Sequence, residues 1–298
     1  MNSAKEITTA IQNAIGKQSA LLHEPSFSGN ESKYVQECID STFVSSVGLF
    51  VNRFEKKLAD YTGAKYAVAV VNGTAALHTA LMVSGIQRED EVITSPLTFI
   101  ATCNAVHYCG AHPVFVDVEW DTLGLSPESM AMFLRDYAEV RDDSLCWNKK
   151  SGRIIRACVP IHNLGHPARV REIADICKAY NILLIEDAAE SLGSFTSEVH
   201  TGRIGQIGTL SFNGNKIITT GGGGALITDD TELARCAKHL TTTAKQPHPW
   251  LFLHDDIGYN YRLPNINAAL GCAQMERLPT YVIKKRKPAH QYKQWFSE

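Results

Sequence analysis

From about residue 65 to residue 229 the chain alternates short β-rich runs with helical stretches, and this alternation restricts the possible folds more than any other feature. Seven runs read as strands: YAVAVV (66–71), EVITS (91–95), PVFVDV (113–118), IIRACVPI (154–161), ILLIED (182–187), TLSFN (209–213) and GALITD (224–229). Helical patterns separate most of them: TAALHTALMVSG, FIATCNAVHYCG, VREIADICKAYN and SPESMAMFLRDYAEVR, whose start at Ser126 and Glu128 reads as a capping box. Strands joined by helical crossovers lie parallel, so the expected fold is α/β, a mostly parallel seven-stranded sheet with flanking helices. TLSFN and GALITD depart from this rule. Only ten residues separate them, too few for a crossover helix, and they are expected to pair antiparallel. SKYVQECIDST, FVNRFEKKLADYTG and INAALGCAQMERL also read as helices, either flanking the sheet or opening a smaller domain.

The bulk numbers remove whole classes of function. Lys and Arg number 29 against 31 Asp and Glu, which leaves no basic footprint for nucleic acid and no polybasic membrane contact. No stretch approaches the roughly 20 apolar residues that span a bilayer, and MNSAKEITTAIQNAIGK lacks an export signal. Eight scattered cysteines without a CxxC pair read as reduced thiols of a cytoplasmic protein. Residues 1–245 are expected to form a large α/β domain with an N-terminal helical segment, and 246–298 the start of a small C-terminal domain. QYKQWFSE is still helical in pattern, so more chain is expected beyond Glu298.

Four places on the expected sheet carry chemistry. In VVNGTAALHTAL a strand runs through Asn72, Gly73 and Thr74 into a helix, a junction that serves a phosphate or simply caps the helix. In IEDAAESLGS a strand ends in Glu186 and Asp187, with Glu190 following; such acids contact ligands in parallel sheets, or Asp187 is a helix N-cap. LSFNGNK leads from a strand to Lys216, either a surface charge or a nucleophile facing those acids. In VPIHNLGHP, His162 and His166 are four apart, but Gly165 and Pro167 argue against the helix that would make them a metal pair. A loop offering His162 or Asn163 to a substrate is the better reading, and no metal is expected. A phosphate-binding helix start, an acid and a lysine together match pyridoxal 5′-phosphate: phosphate, protonated ring nitrogen and aldehyde.

With these residues in order, the chain resembles the DegT/StrS family of sugar aminotransferases, and most closely its legionaminic-acid-type branch. NGTAALH, SPLTFIATCNAV, GAHPVFVDV, EDAAESLG, SFNGNKIITTGGGG and YNYRLPNINAALG carry the resemblance. It implies the aspartate-aminotransferase-like fold (fold type I), with Lys216 condensing with the cofactor aldehyde and Asp187 pairing with the pyridinium nitrogen. It also implies phosphate binding by Ser211 and by the backbone of Gly73, Thr74 and Ala75, and ring stacking by Phe99. Asn260 would reach the phosphate in a neighbouring subunit, so a homodimer with a shared site is implied. His162, Asn163 and Arg262 are candidate substrate contacts. Glu190 stands where the family usually has glutamine, beside the cofactor's phenolic oxygen. The implied reaction takes an amino group from glutamate to a nucleotide-linked 4-keto-6-deoxy sugar. A dehydratase of the same family carries histidine in place of the lysine, so Lys216 speaks against it. A catalytically idle or regulatory member is the alternative from another class. A dinucleotide-binding oxidoreductase ranks low, because no GxGxxG follows the first strand. The four glycines 221–224 read as a tight turn after Lys216, not as a phosphate cradle or a linker.

Overall fold

A computed structural model describes residues 3–16, 19 and 23–295. Its helices are α1 (Ala4–Ile15), α2 (Glu31–Asp40), α3 (Leu49–Thr62), α4 (Gly73–Val83), α5 (Ala101–Tyr108), α6 (Pro127–Tyr137), α7 (Val170–Ala179), α8 (Thr231–Thr241) and α9 (Asn265–Trp295). Its strands are β1 (Tyr66–Val70), β2 (Glu91–Thr94), β3 (His112–Phe115), β4 (Ala138–Val140), β5 (Cys146–Asn148), β6 (Ile155–Cys158), β7 (Leu183–Asp187), β8 (Phe195–Thr196), β9 (Val199–His200), β10 (Ile207–Ser211) and β11 (Gly224–Thr228).

All seven expected strands join one sheet, in the order β1-β11-β10-β7-β6-β2-β3. β11 runs antiparallel to both β1 and β10, with Ser211 opposite Gly224, while the remaining neighbours are parallel. The short connection therefore does what its length requires. Successive residues of β11 point to opposite faces: Ala225 and Ile227 pack with Phe54, Leu58 and Phe212, whereas Leu226 packs with Leu77, Leu81 and Ile185. Helices α2, α3 and α9 cover the first of these faces and α4 and α5 the second. A third cluster, including Met130, Leu134, Ile155 and Ile173, seats α6 and α7. Within the segment 246–298, Leu263, Ala269, Cys272 and Leu278 are buried in the first cluster.

Two local expectations are corrected. α6 ends at Tyr137, and Ala138–Val140, read as its last turn, pairs instead with β5. Ala138 is already extended (φ −114°, ψ 158°), and β-branched Val140 suits a strand. At the start of α6, Ser126 Oγ accepts from Ser129 N at 3.1 Å, but Glu128 takes the Ser126 hydroxyl, not its backbone N–H, so the cap is single and not a box. Helix α8, with its Asp230 side chain capping Glu232 N and Leu233 N, and the β8–β9 hairpin were not anticipated.

The glycine run begins with a left-handed residue, Gly221 (φ 79°). It ends where β11 passes under the turn after β1: a Cβ on Gly224 would stand 2.4 Å from Asn72 O. The eight cysteines are free, and no helix among the described residues is long and apolar enough to cross a membrane.

Candidate active site

Parallel strands deliver their C-terminal ends to one edge, and there the sheet gathers the residues singled out above. β7 ends in Asp187, β10 in Ser211, and β1 leads through Asn72 to the N-terminus of α4. β10 pairs with β7 so that Thr209 lies opposite Asp187, which places Ser211 two residues beyond that level on the neighbouring strand.

The α4 end is a capped helix with the chemistry of an anion site. Asn72 Oδ1 accepts from Ala75 N at 2.8 Å, so the Ala75 amide is occupied by the cap. The Ser211 and Thr74 hydroxyls make no hydrogen bond within the described residues. A Cβ on Gly73 would stand 2.8 Å from Ser211 Cβ and 3.0 Å from its Oγ. Only glycine lets this hydroxyl approach the helix N-terminus so closely, and the pair forms a cradle of phosphate-binding chemistry.

Asp187 is not a helix N-cap, for no helix follows it. Its side chain is 8 % exposed, with Oδ2 accepting from Thr102 Oγ1 at 2.8 Å and Oδ1 from Ala189 N at 3.2 Å. Burial pushes its carboxyl above the ordinary range, and these bonds, with the nearby His162 and Lys216, offset that only in part. Among the described residues no cationic side chain forms an ion pair with it. The donor set therefore fits a cationic ring nitrogen, which would supply the missing countercharge. An acid with a raised folded value loses stability as pH rises past its unfolded value, so removing the charge relieves a cost at neutral pH. Asp187→Asn is expected to raise the melting temperature of the cofactor-free protein by about 2–4 °C, the response to about 1 kcal/mol. The Thr102 hydroxyl can turn to accept from the new amide. Calorimetry at pH 7 checks this, and a lower melting temperature would contradict it.

Lys216 lies on the excursion between β10 and β11, and its Nζ donates to Glu190 Oε1 at 2.8 Å. Glu190 Oε2 accepts from Leu164 N at 2.9 Å. Beside this pair opens a cavity of about 530 Å³, lined among others by His23, His166, Lys285 and Arg286. Phe99, just before α5, is 78 % exposed, and Asn260 is also exposed. Arg262 bridges to Val70 on β1, and its Nε is buried without a hydrogen-bond partner.

One candidate substrate contact is turned inward. His162 is fully buried; its Nδ1 accepts from Ala168 N at 3.1 Å, so Nε2 carries the proton and donates to Glu186 Oε2 at 2.9 Å. With both nitrogens engaged inside the protein, it is removed from direct substrate contact. Asn163 Nδ2 donates to Leu123 O at 2.6 Å. Thr102, which fixes Asp187, was missed, although a polar residue within the apolar FIATCNAV pattern was the available signal.

Comparison with known proteins places the chain in a family. Residues 25–298 match the DegT/DnrJ/EryC1/StrS aminotransferase family. The chain is 39 % identical over 272 residues to GDP-perosamine synthase of Escherichia coli O157:H7, covering 91 % of this chain and 70 % of that protein. It is also 39 % identical to the putative pyridoxal phosphate-dependent aminotransferase EpsN of Bacillus subtilis (strain 168), covering 91 % of this chain and 67 % of EpsN. The crystal structure of the aminotransferase TlmJ from Streptoalloteichus hindustanus superposes with a TM-score of 0.82 at 28 % identity, over 93 % of this chain and 71 % of TlmJ. The chain thus spans roughly two thirds of the length of these relatives. On the match, the fold and the order of its motifs, the chain belongs to the DegT/DnrJ/EryC1/StrS aminotransferase family.

Proposed function

We propose that this protein is a pyridoxal phosphate-dependent sugar aminotransferase, moving an amino group from glutamate to the keto carbon of a nucleotide-linked 4-keto-6-deoxy sugar. The product would be a 4-amino sugar for surface-polysaccharide or legionaminic-acid-type nonulosonate synthesis. The observation that carries this reading is the convergence at one sheet edge of Lys216, the uncompensated Asp187 carboxylate and the Gly73–Ser211 cradle. When bound, the cofactor supplies an electron sink for the carbon that loses its proton and a carbonyl carbon that carries the amino group. The protein's own residues do the rest. Asp187 accepts the ring N–H and keeps that nitrogen cationic; the Ser211 hydroxyl and the free Gly73 and Thr74 amides hold the phosphate. Lys216 moves the proton at Nζ, as base in one half of the transfer and acid in the other. Phe99 offers a ring face for stacking. The exposure of Phe99 (78 %) supports a homodimer in which a second copy covers this edge and lends Asn260.

The test is an assay with glutamate and a panel of nucleotide-linked 4-keto-6-deoxy sugars, followed by mass spectrometry. The expected result is a yellow protein that yields a 4-amino sugar and 2-oxoglutarate from at least one of them. A colourless protein that takes up no pyridoxal phosphate would refute the proposal.

A further inference from the structure

Residue 190 meets two donors. Lys216 Nζ reaches its Oε1 at 2.8 Å and the Leu164 amide its Oε2 at 2.9 Å. Both side-chain oxygens are thus engaged, one by the amine and the other by the backbone. The Leu164 amide is presented by a left-handed turn (Leu164 φ 55°, Gly165 φ 81°), which Ser194 Oγ braces by donating to Gly165 O at 2.6 Å. The carboxylate is thus held from behind and aimed at the amine. The lysine side chain is 15 % exposed and the glutamate 35 %, so water screens the pair only in part.

We infer that Glu190 is the counter-ion of Lys216 Nζ, a positioning residue that keeps this nitrogen cationic both as the free amine and when it is bonded to the cofactor's carbonyl carbon. The carboxylate sought near the phenolic oxygen is turned onto the nucleophile. Other groups face the same nitrogen: Asp187 acts in the same sense as Glu190, Lys285 and Arg286 around the cavity oppose it, and His23, lowered by burial and 2.7 Å from Lys285 Nζ at its Nδ1, adds no charge at pH 7; His166 also lines the cavity. Glu190 is the one acid hydrogen-bonded to Nζ among the described residues.

The inference deepens the proposed function and rests on it for the loaded protein, so the experiment has two arms. In the first, wild type, Glu190→Gln and Glu190→Asp are loaded with pyridoxal phosphate and the visible band is titrated with pH. The Gln variant should change colour at a pH at least one unit lower than wild type, and the Asp variant should fall close to wild type. In the second, the cofactor-free proteins react with trinitrobenzenesulfonate at pH 7, with Lys216 labelling followed by peptide mass spectrometry. Without its counter-ion the amine is more often neutral, so labelling should run about three- to tenfold faster in the Gln variant. Failure of wild type to take up cofactor would sink the proposed function and leave the second arm to decide the inference. Equal titration in the first arm, or equal labelling of wild type and the Gln variant in the second, would overturn it. Melting curves of all three proteins identify a variant that misfolds; if the Gln protein does, Glu190→Ala takes its place in both arms with the same expected shifts, and equality with wild type again overturns the inference.

Discussion

Replacing Lys216 by alanine should lower transamination by about 10⁴-fold or more while leaving the fold and a weak, non-covalent hold on the cofactor in place. The size of the loss follows from the two roles assigned to one amine: it captures the cofactor, and it carries the proton between carbons. No other described amine is bonded at this point; Nζ has the Glu190 carboxylate as its partner. Stability is expected to change by less than about 1 kcal/mol, since the carboxylate left behind is partly exposed and keeps the Leu164 amide. Cofactor binding survives weakly because Ser211, the α4 amides and Asp187 are untouched. Single-turnover kinetics and the visible spectrum check the outcome. A variant retaining more than about 1 % of the wild-type rate would remove Lys216 from the mechanism.

The second large effect lies behind the site, at Glu186. Glu186→Ala should cost about 3–5 kcal/mol of stability, because it strips the acceptor from several buried donors at once. Glu186 is wholly buried and takes His162 Nε2 at 2.9 Å, Gly202 N at 2.8 Å, and the amides of Ile204 and Gly205 at 2.6 Å each. Burial alone would raise its carboxyl, but the His162 bond and the Gly205 and Gly202 amides outweigh burial and hold it below the ordinary range. A depressed carboxyl stabilises the fold above its unfolded value, near 4.3, and that contribution fades as pH falls further. His200 acts earlier in the same direction: burial lowers it from 6.5 to about 4, so the native state keeps it neutral and loses stability as pH falls through that window. Urea unfolding of wild type should therefore weaken from about pH 6.5 downward. Glu186→Gln, already less stable at pH 7, should lose less than wild type below about pH 4.5. Parallel curves for the two proteins would show that Glu186 is not the titrating group.

The seven strands and their antiparallel exception were legible because each depends on local pattern and on the length of one connection. Asp187, Lys216 and Ser211 were legible for a related reason, since the ends of parallel strands are where such residues meet. Which of the two adjacent acids faces the site follows from strand alternation: Asp187 shares the side of Ile185, toward α5, and Glu186 that of Leu184. The sequence offers His162 to a substrate because its loop follows the C-terminal end of a strand. Its partner, Glu186, lies 24 residues away and closes over it only in three dimensions. Thr102 bonds to an acid 85 residues distant, a contact no local window contains. Helix α8 was written in the chain as Asp230 before TELARCAKHL, and its cap was simply overlooked.

The reversal of β11 has a consequence for how Lys216 is held. Because β10 and β11 meet at the same edge, the chain leaves the sheet at Phe212 and is tied back almost at once: Phe212 N donates to Gly223 O at 2.8 Å, and Thr220 N to Phe212 O at 3.0 Å. Lys216 therefore rides on a closed noose of 213–219 whose knot is tied by the sheet itself, with Thr219 Oγ1 adding a further bond to Phe212 O at 3.1 Å. Folding has already removed most of the backbone freedom that an open loop would surrender on meeting its ligand. On the proposed role of Lys216, its amine is preorganised by strand direction, and little search is left for the moment of capture.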